Sequence, residues 1–229
     1  MRAAYVFAAW IPLAACAPAV MAGARPAPQV RIVDGIAARI EDDIITLSEL
    51  RELGAYQQLL DGHSQSDEEL RSELIEQWIV NNEASVTRFP LPAETEVDRE
   101  VARIEANFPT TAAYQQRLVA VGLTSENLRR MVTRQIHLAR YVDYKFRSSI
   151  QVDDAAIANY YRDHLVPDLQ AKAQQAPPLE GLTDQIRELL VEQGVNNRAA
   201  AWFDETKSRL KIVLEPIDAL SGGTPASKP

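Results

Sequence analysis

From Ala93 onward, the apolar residues Val97, Val101, Ile104 and Phe108 follow one another at spacings of four, three and four. That is the period of an α-helix packed on one side. A longer stripe of the same kind runs through Leu128, Met131, Val132, Ile136, Ala139, Val142 and Phe146. β-branched runs stand only ahead of this region and behind it, at residues 32–47 and 211–215. Helical periodicity in the interior and strand-like segments at its two ends predict a mainly α fold with a small sheet that draws the ends together. Glycine supports this reading, with only nine in 229 residues, while helix formers such as Ala, Leu, Glu, Gln and Arg are frequent.

The first strand-like segment reads as a hairpin whose polar turn is Glu41-Asp42-Asp43. Two strands alone are marginal in water. Lys211-Ile212-Val213-Leu214-Glu215, closed by Pro216, is the natural third strand. Between them, Ser48 is expected to cap a helix reaching about Leu60, which Asp61-Gly62-His63-Ser64 interrupts. Ser66 and Glu69 form a capping box for a helix that carries Leu70, Leu74, Ile75, Trp78 and Ile79 on one face. Pro90 and Pro92 break the chain again, and Pro109 ends the Val97 helix. A short helix holds Tyr114, Leu118 and Val121, with Gly122 as its stop. Thr124 opens what reads as the longest helix, to about Ser149. Asp153 caps a short one with Ile157, Tyr160 and Tyr161. Residues 165–180, with Pro167, Pro177 and Pro178, read as a linker. A last helix is expected from Leu182 through Ile186, Leu189, Leu190, Trp202 and Phe203, with Gly194 marking a kink. Residues 32–216 thus read as one domain, and 217–229 as a disordered tail.

The opening residues carry an address. Arg2 precedes an uncharged apolar run, Ala3–Ala15, and Ala22-Gly23-Ala24 suits cleavage after Ala24, so residues 1–24 read as a signal peptide. The run is shorter than the roughly 20 residues of a membrane span, and Pro12 interrupts it. Cys16, the one cysteine, sits in Leu13-Ala14-Ala15-Cys16, a lipobox-like setting. That leaves two readings: a plain signal peptide, or a lipoprotein signal 1–15 with Cys16 lipidated and anchoring the chain to a membrane. Either one implies export to the periplasm, a linker at 25–31, and a fold without disulfides.

Chemistry is sparse in the remainder. A net charge of −8 argues against a nucleic-acid partner. His63, His137 and His164 are scattered and share no metal-ligand spacing. No nucleophile elbow and no phosphate-cradling glycine loop is present. Paired acids at Asp42-Asp43, Glu68-Glu69 and Asp153-Asp154 stand at a turn or near helix starts, where they favour the helix dipole. Nothing calls for a catalytic residue, a metal or a cofactor. Arg129, Arg130, Arg134, Arg140, Lys145 and Arg147 crowd one helix against a single acid, Asp143. They suit acidic client segments or an anionic membrane face, or else form a solvated side balanced by the acidic rest of the chain. Trp78, Phe108, Tyr114, Leu118, Met131 and Tyr141 are the candidate lining of a groove for polypeptide.

The stretch Ile32-Val33-Asp34-Gly35-Ile36-Ala37-Ala38-Arg39-Ile40, followed by Ile44-Ile45-Thr46-Leu47-Ser48-Glu49-Leu50, resembles the opening of the SurA-type periplasmic chaperones. The order that follows is similar too: Leu-Ile before Trp78, a Leu-Pro-x-Glu start to the Val97 helix, a Phe-Pro-Thr break, and the arginine-rich helix. Val152-Asp153-Asp154 to Tyr160-Tyr161, and Trp202 to Pro216, are similar to segments that flank the isomerase module there. The resemblance covers about residues 30–165 and 180–216. It implies a helical peptide-binding domain of the SurA N-terminal or trigger-factor kind, binding unfolded or extended polypeptides, with outer-membrane proteins as clients. Relatives usually carry parvulin-type prolyl isomerase modules of near a hundred residues. Here only residues 165–180 stand at that point, without the paired histidines and Gly-Gly-Asp-Leu-Gly signature. The resemblance therefore implies holding without isomerase activity. A divergent isomerase and an envelope assembly subunit are the alternatives.

Overall fold

The computed structural model of the chain describes residues 34–217. The expected leader, Cys16, the 25–31 linker and residues 218–229 lie outside the described residues. Three strands, β1 (Ile36–Ile40), β2 (Asp43–Thr46) and β3 (Ile212–Leu214), form an antiparallel sheet in the order β2-β1-β3. β1 lies in the centre. Its pairing with β3 sets Ala38 opposite Leu214 and Ile40 opposite Ile212. The sheet thus joins the two ends of a mainly helical domain. The hairpin turn is shorter than expected, with Glu41 at φ 50° and Asp43 already in β2.

Eight α-helices lie between β2 and β3: α1 (Leu47–Asp61), α2 (Asp67–Val86), α3 (Glu94–Ala106), α4 (Thr111–Ala120), α5 (Ser125–Phe146), α6 (Asp154–Tyr160), α7 (Val166–Ala171) and α8 (Thr183–Arg209). Local chemistry explains most boundaries. Thr46, not Ser48, caps α1: its hydroxyl accepts from the Glu49 amide, and the Glu49 carboxylate accepts from the Thr46 amide. Gly62 closes α1 at φ 80°, a conformation glycine adopts without strain. Ser66 and Glu69 make the same reciprocal box at α2. Thr124 and Asp153 cap α5 and α6.

α5 is the hub, touching α1, α2, α3 and α8. Its Leu128 and Val132 are fully buried, together with Ala37 and Ile40 of β1, Leu53 of α1 and Val80 of α2. Side chains from sheet and helices form one apolar cluster, and its burial from water drives the fold. Ile217, at the start of the expected tail, belongs to this cluster as well.

Three expectations need correction. The segment 165–180 is not linker throughout: α6 runs on through a π-helical turn, Tyr161–Leu165, into α7, and only residues 172–178 form a loop. Pro167 is the second residue of α7, directly after the π-helical turn, where the hydrogen-bond register of the helix changes. The longest helix is α8, with 27 residues, not α5 with 22. α8 also passes through Gly194 as one helix. A Cβ at that position would stand 2.7 Å from Cγ2 of Ile150, so glycine here permits close packing of the segment after α5 against α8.

Candidate functional site

α5 and α8 pack against each other, with the rings of Phe146 and Trp202 5.7 Å apart, and a cleft of about 550 Å³ opens between the two helices. Its apolar surface comes from Leu138 and Val142 of α5 and from Val195, Ala199 and Phe203 of α8. Phe203, Val195 and Ala199 are themselves buried, so they form a floor. Ala139 and Ala200 line the sides. Larger residues there would close the gap between the helices.

The rim is charged and mostly acidic. Glu76, Asp143, Glu192 and Asp204 line it, against a single cation, Arg147. Arg147 is already engaged: its Nε donates to Asp143 at 2.7 Å, and its two terminal nitrogens donate to Glu188 at 2.8 and 3.1 Å. These bonds hold the guanidinium well above its usual range, chiefly through Glu188, and hold the Glu188 carboxyl below its own. Glu76 receives Lys207 Nζ at 2.6 Å. Glu192 and Asp204 are exposed and take part in no ion pair among the described residues. A negative potential therefore lies over an apolar floor.

The expected groove residues are placed differently. Tyr114, Leu118, Met131 and Tyr141 are all buried, at 2–3% exposure, and belong to the core cluster. Phe108 is half-buried and packs against Tyr114, with ring centroids 5.6 Å apart. Trp78 is half-buried beside the sheet and donates its indole N–H to Asp43 at 2.9 Å. None of the six lines the α5–α8 cleft. Leu138, Ala139, Val142, Val195 and Ala199 were missed as lining. Their one signal is a run of small residues on two helices that both carry apolar stripes.

The cationic face of α5 is used internally. Arg129 pairs with Glu94 and Asp98 of α3, Arg130 with Glu52 of α1, Arg140 with Glu96 of α3, Lys145 with Glu83 of α2, and Arg147 with Glu188 of α8. Lys145 also sits 4.7 Å from the Trp202 ring centroid, a cation–π distance. Of the six cations noted in the sequence, Arg134 alone has no ion pair among the described residues. The face balances the acids of its neighbours, as the second reading of its charge has it.

Two polar groups, half-buried Glu73 and buried His137, stand apart from the cleft. The Glu73 carboxylate accepts from the amides of Gln57, Gln77 and Gln135 at 3.0, 3.2 and 3.4 Å, and burial pushes its pKa up. His137 is buried against Phe89, and burial pulls its pKa down. Neither faces a nucleophile or a second acid in hydrogen-bond reach. Among the described residues, no three His, Cys, Asp or Glu side chains gather as metal ligands, and no helix is long and apolar enough to cross a membrane.

No family model matches the chain. Among curated proteins it is similar to two, from Bordetella pertussis and Bordetella bronchiseptica, each named Chaperone SurA. Both are 29% identical over 162 residues, which cover 67% of this chain. The matched segment spans 31% of each relative's length.

Proposed function

We propose that this chain is an ATP-independent periplasmic chaperone that holds unfolded polypeptide, taking extended segments into the α5–α8 cleft. The observation that carries the reading is the cleft itself: about 550 Å³ of open space with an apolar floor, and no reactive constellation beside it. Similarity to Chaperone SurA supports the same reading. Few oriented polar groups face the floor, so binding is weak, reversible and tolerant of sequence. Clients are unfolded envelope proteins, outer-membrane protein precursors foremost. The proposal includes no isomerase step. Where the resemblance would set a parvulin module, residues 161–182 run as a π turn, a short helix, a loop and a 3-10 turn into α8.

The test is aggregation of an unfolded outer-membrane protein, followed by light scattering. The purified protein is expected to suppress it at near-stoichiometric ratio. Ala139→Trp or Ala200→Trp, which fill the cleft from its sides, should weaken suppression while leaving the circular dichroism spectrum intact. No suppression at excess rejects the function, and unaltered suppression in both variants rejects the cleft as its site. A proline-peptide isomerisation rate above the uncatalysed one would restore the enzyme alternative.

A further inference from the structure

A second hollow lies farther along the same helix. Leu165 of the π turn, Leu169 of α7, and Leu182, Ile186 and Leu189 at the start of α8 surround about 430 Å³. Ile186 is buried and the four leucines are half-buried, so each leucine keeps apolar surface facing the space. Gln174, Gln175 and Gln185 stand at the rim. No charged side chain lines this hollow, although 24% of the chain is charged. An ion would gain nothing there, because desolvation would cost it more than amides return. A bulky neutral side chain would bury apolar surface, and the three amides can each donate to and accept from the peptide backbone carrying it.

The two hollows are in register. Steps of three and four residues along α8 lead from Leu182 through Gln185, Leu189 and Glu192 to Asn196, Ala199 and Phe203, so one face of the helix borders both. The midpoints of the two linings are about a dozen residues apart on α8, or about 18 Å at 1.5 Å per residue. Six residues of extended chain span about 20 Å. Glu192 lies between the hollows and Asp204 at the far end, neither with an ion-pair partner among the described residues.

We infer that the hollows are successive subsites for one extended polypeptide, which places two bulky uncharged side chains about six residues apart and carries positive charge beside the second. This rests on the holding function proposed above and adds the class of segment held. The neutral hollow takes the first side chain, the apolar floor of the cleft takes the second, and the free carboxylates of Glu192 and Asp204 meet lysine or arginine.

Twelve-residue peptides with capped ends and a neutral fluorophore, titrated by anisotropy, test this. One carries two phenylalanines six residues apart with lysines between, the second has glutamates in place of the lysines, and the third has serine for one phenylalanine. The lysine peptide is expected to bind about tenfold tighter than the glutamate peptide at low salt, and about tenfold tighter than the single-phenylalanine peptide. Glu192→Lys combined with Asp204→Lys should abolish the lysine preference and keep the phenylalanine dependence. Leu169→Ser should bring the two-anchor peptide to the affinity of the one-anchor peptide. Equal affinity for the lysine and glutamate peptides, or for one and two anchors, overturns the inference. If aggregation is still suppressed in that case, clients are held on another surface. If suppression is also lost, the holding function falls with it.

Discussion

At Gly194 two local forces oppose each other. Glycine inside a helix costs about 1 kcal/mol relative to alanine, yet here the first carbon of any side chain meets Ile150 Cγ2 at 2.7 Å and Cδ1 at 3.1 Å. Gly194→Ala is therefore expected to leave stability unchanged or lower it. In an Ile150→Ala background the clash is gone, and the same change should stabilise by about 1 kcal/mol. Urea denaturation of the four proteins checks this, and a gain in both backgrounds would show that Ile150 does not restrain the site. The sequence displays Gly194 but not Ile150 beside it, so a kink was the natural expectation. The cap of α1 was nearer to hand. Thr46-x-x-Glu49 is the same box as Ser66-x-x-Glu69, whereas Ser48 has Arg51 three residues on and cannot form it. Tyr114, Leu118, Met131 and Tyr141 lie in the core because neighbouring helices cover them. Helical spacing says which face turns inward, but not whether a neighbouring helix covers it.

α3 and α5 were legible from apolar stripes at helical spacing, and α2 from the Ser66-x-x-Glu69 box that starts it. α7 was hidden by Pro167, which reads as a breaker in mid-segment and as a starter at a first turn. The β3 strand was legible from its β-branched run and Pro216, and its pairing makes a sharper expectation. Glu215 donates its amide to the Ala37 carbonyl at 3.2 Å, and Glu41 donates to the Lys211 carbonyl at 3.0 Å. Alternation in an antiparallel ladder then turns the Val213 amide toward β1 and the Leu214 amide away. Val213→Pro removes a ladder hydrogen bond and should cost at least about 1 kcal/mol, while Leu214→Pro should cost distinctly less, as proline is tolerated on the open side of an edge strand. Thermal melts of both variants decide it, and equal losses would contradict the register. The cleft was not legible at this scale, because it depends on how far apart α5 and α8 stand. Ala139, Ala199 and Ala200, which line it, look like ordinary helix filler in the sequence.

Across the whole molecule, acid acts through groups of opposite sign. Hydrogen bonds from Arg147 hold the Glu188 carboxyl low, and those from Ser66 do the same for Glu69. Such groups stabilise the fold above their unfolded values, and that stabilisation is lost as pH falls through the folded ones. His137 is lowered by burial, so its neutral form fits the fold. Its contribution is complete above its ordinary value near 6.5 and is lost as pH falls through the lower, folded value. Glu73 is raised by burial. Its contribution is present below its ordinary value and lost as pH rises through the folded one, so it opposes the other carboxylates. The urea midpoint should therefore begin to fall as pH drops below about 6.5, ahead of the carboxylates that hydrogen bonds hold low, with Glu73 offsetting part of the loss. His137→Gln should flatten that shallow limb and leave the steeper acid limb in place. A shallow limb unaltered by the variant would assign it to another group.

The sheet that joins the chain's ends also sets an order of events. Glu41 and its partner Lys211 stand 170 residues apart in the chain. Until β3 arrives, β1 and β2 are two strands alone, marginal in water, with one side of β1 unpaired. The helices have local contacts and can gather first, whereas the last strand must close a loop that encompasses nearly the whole domain. While it waits, this protein is itself an incomplete chain with an open strand edge, in the same condition as the polypeptides it is proposed to hold.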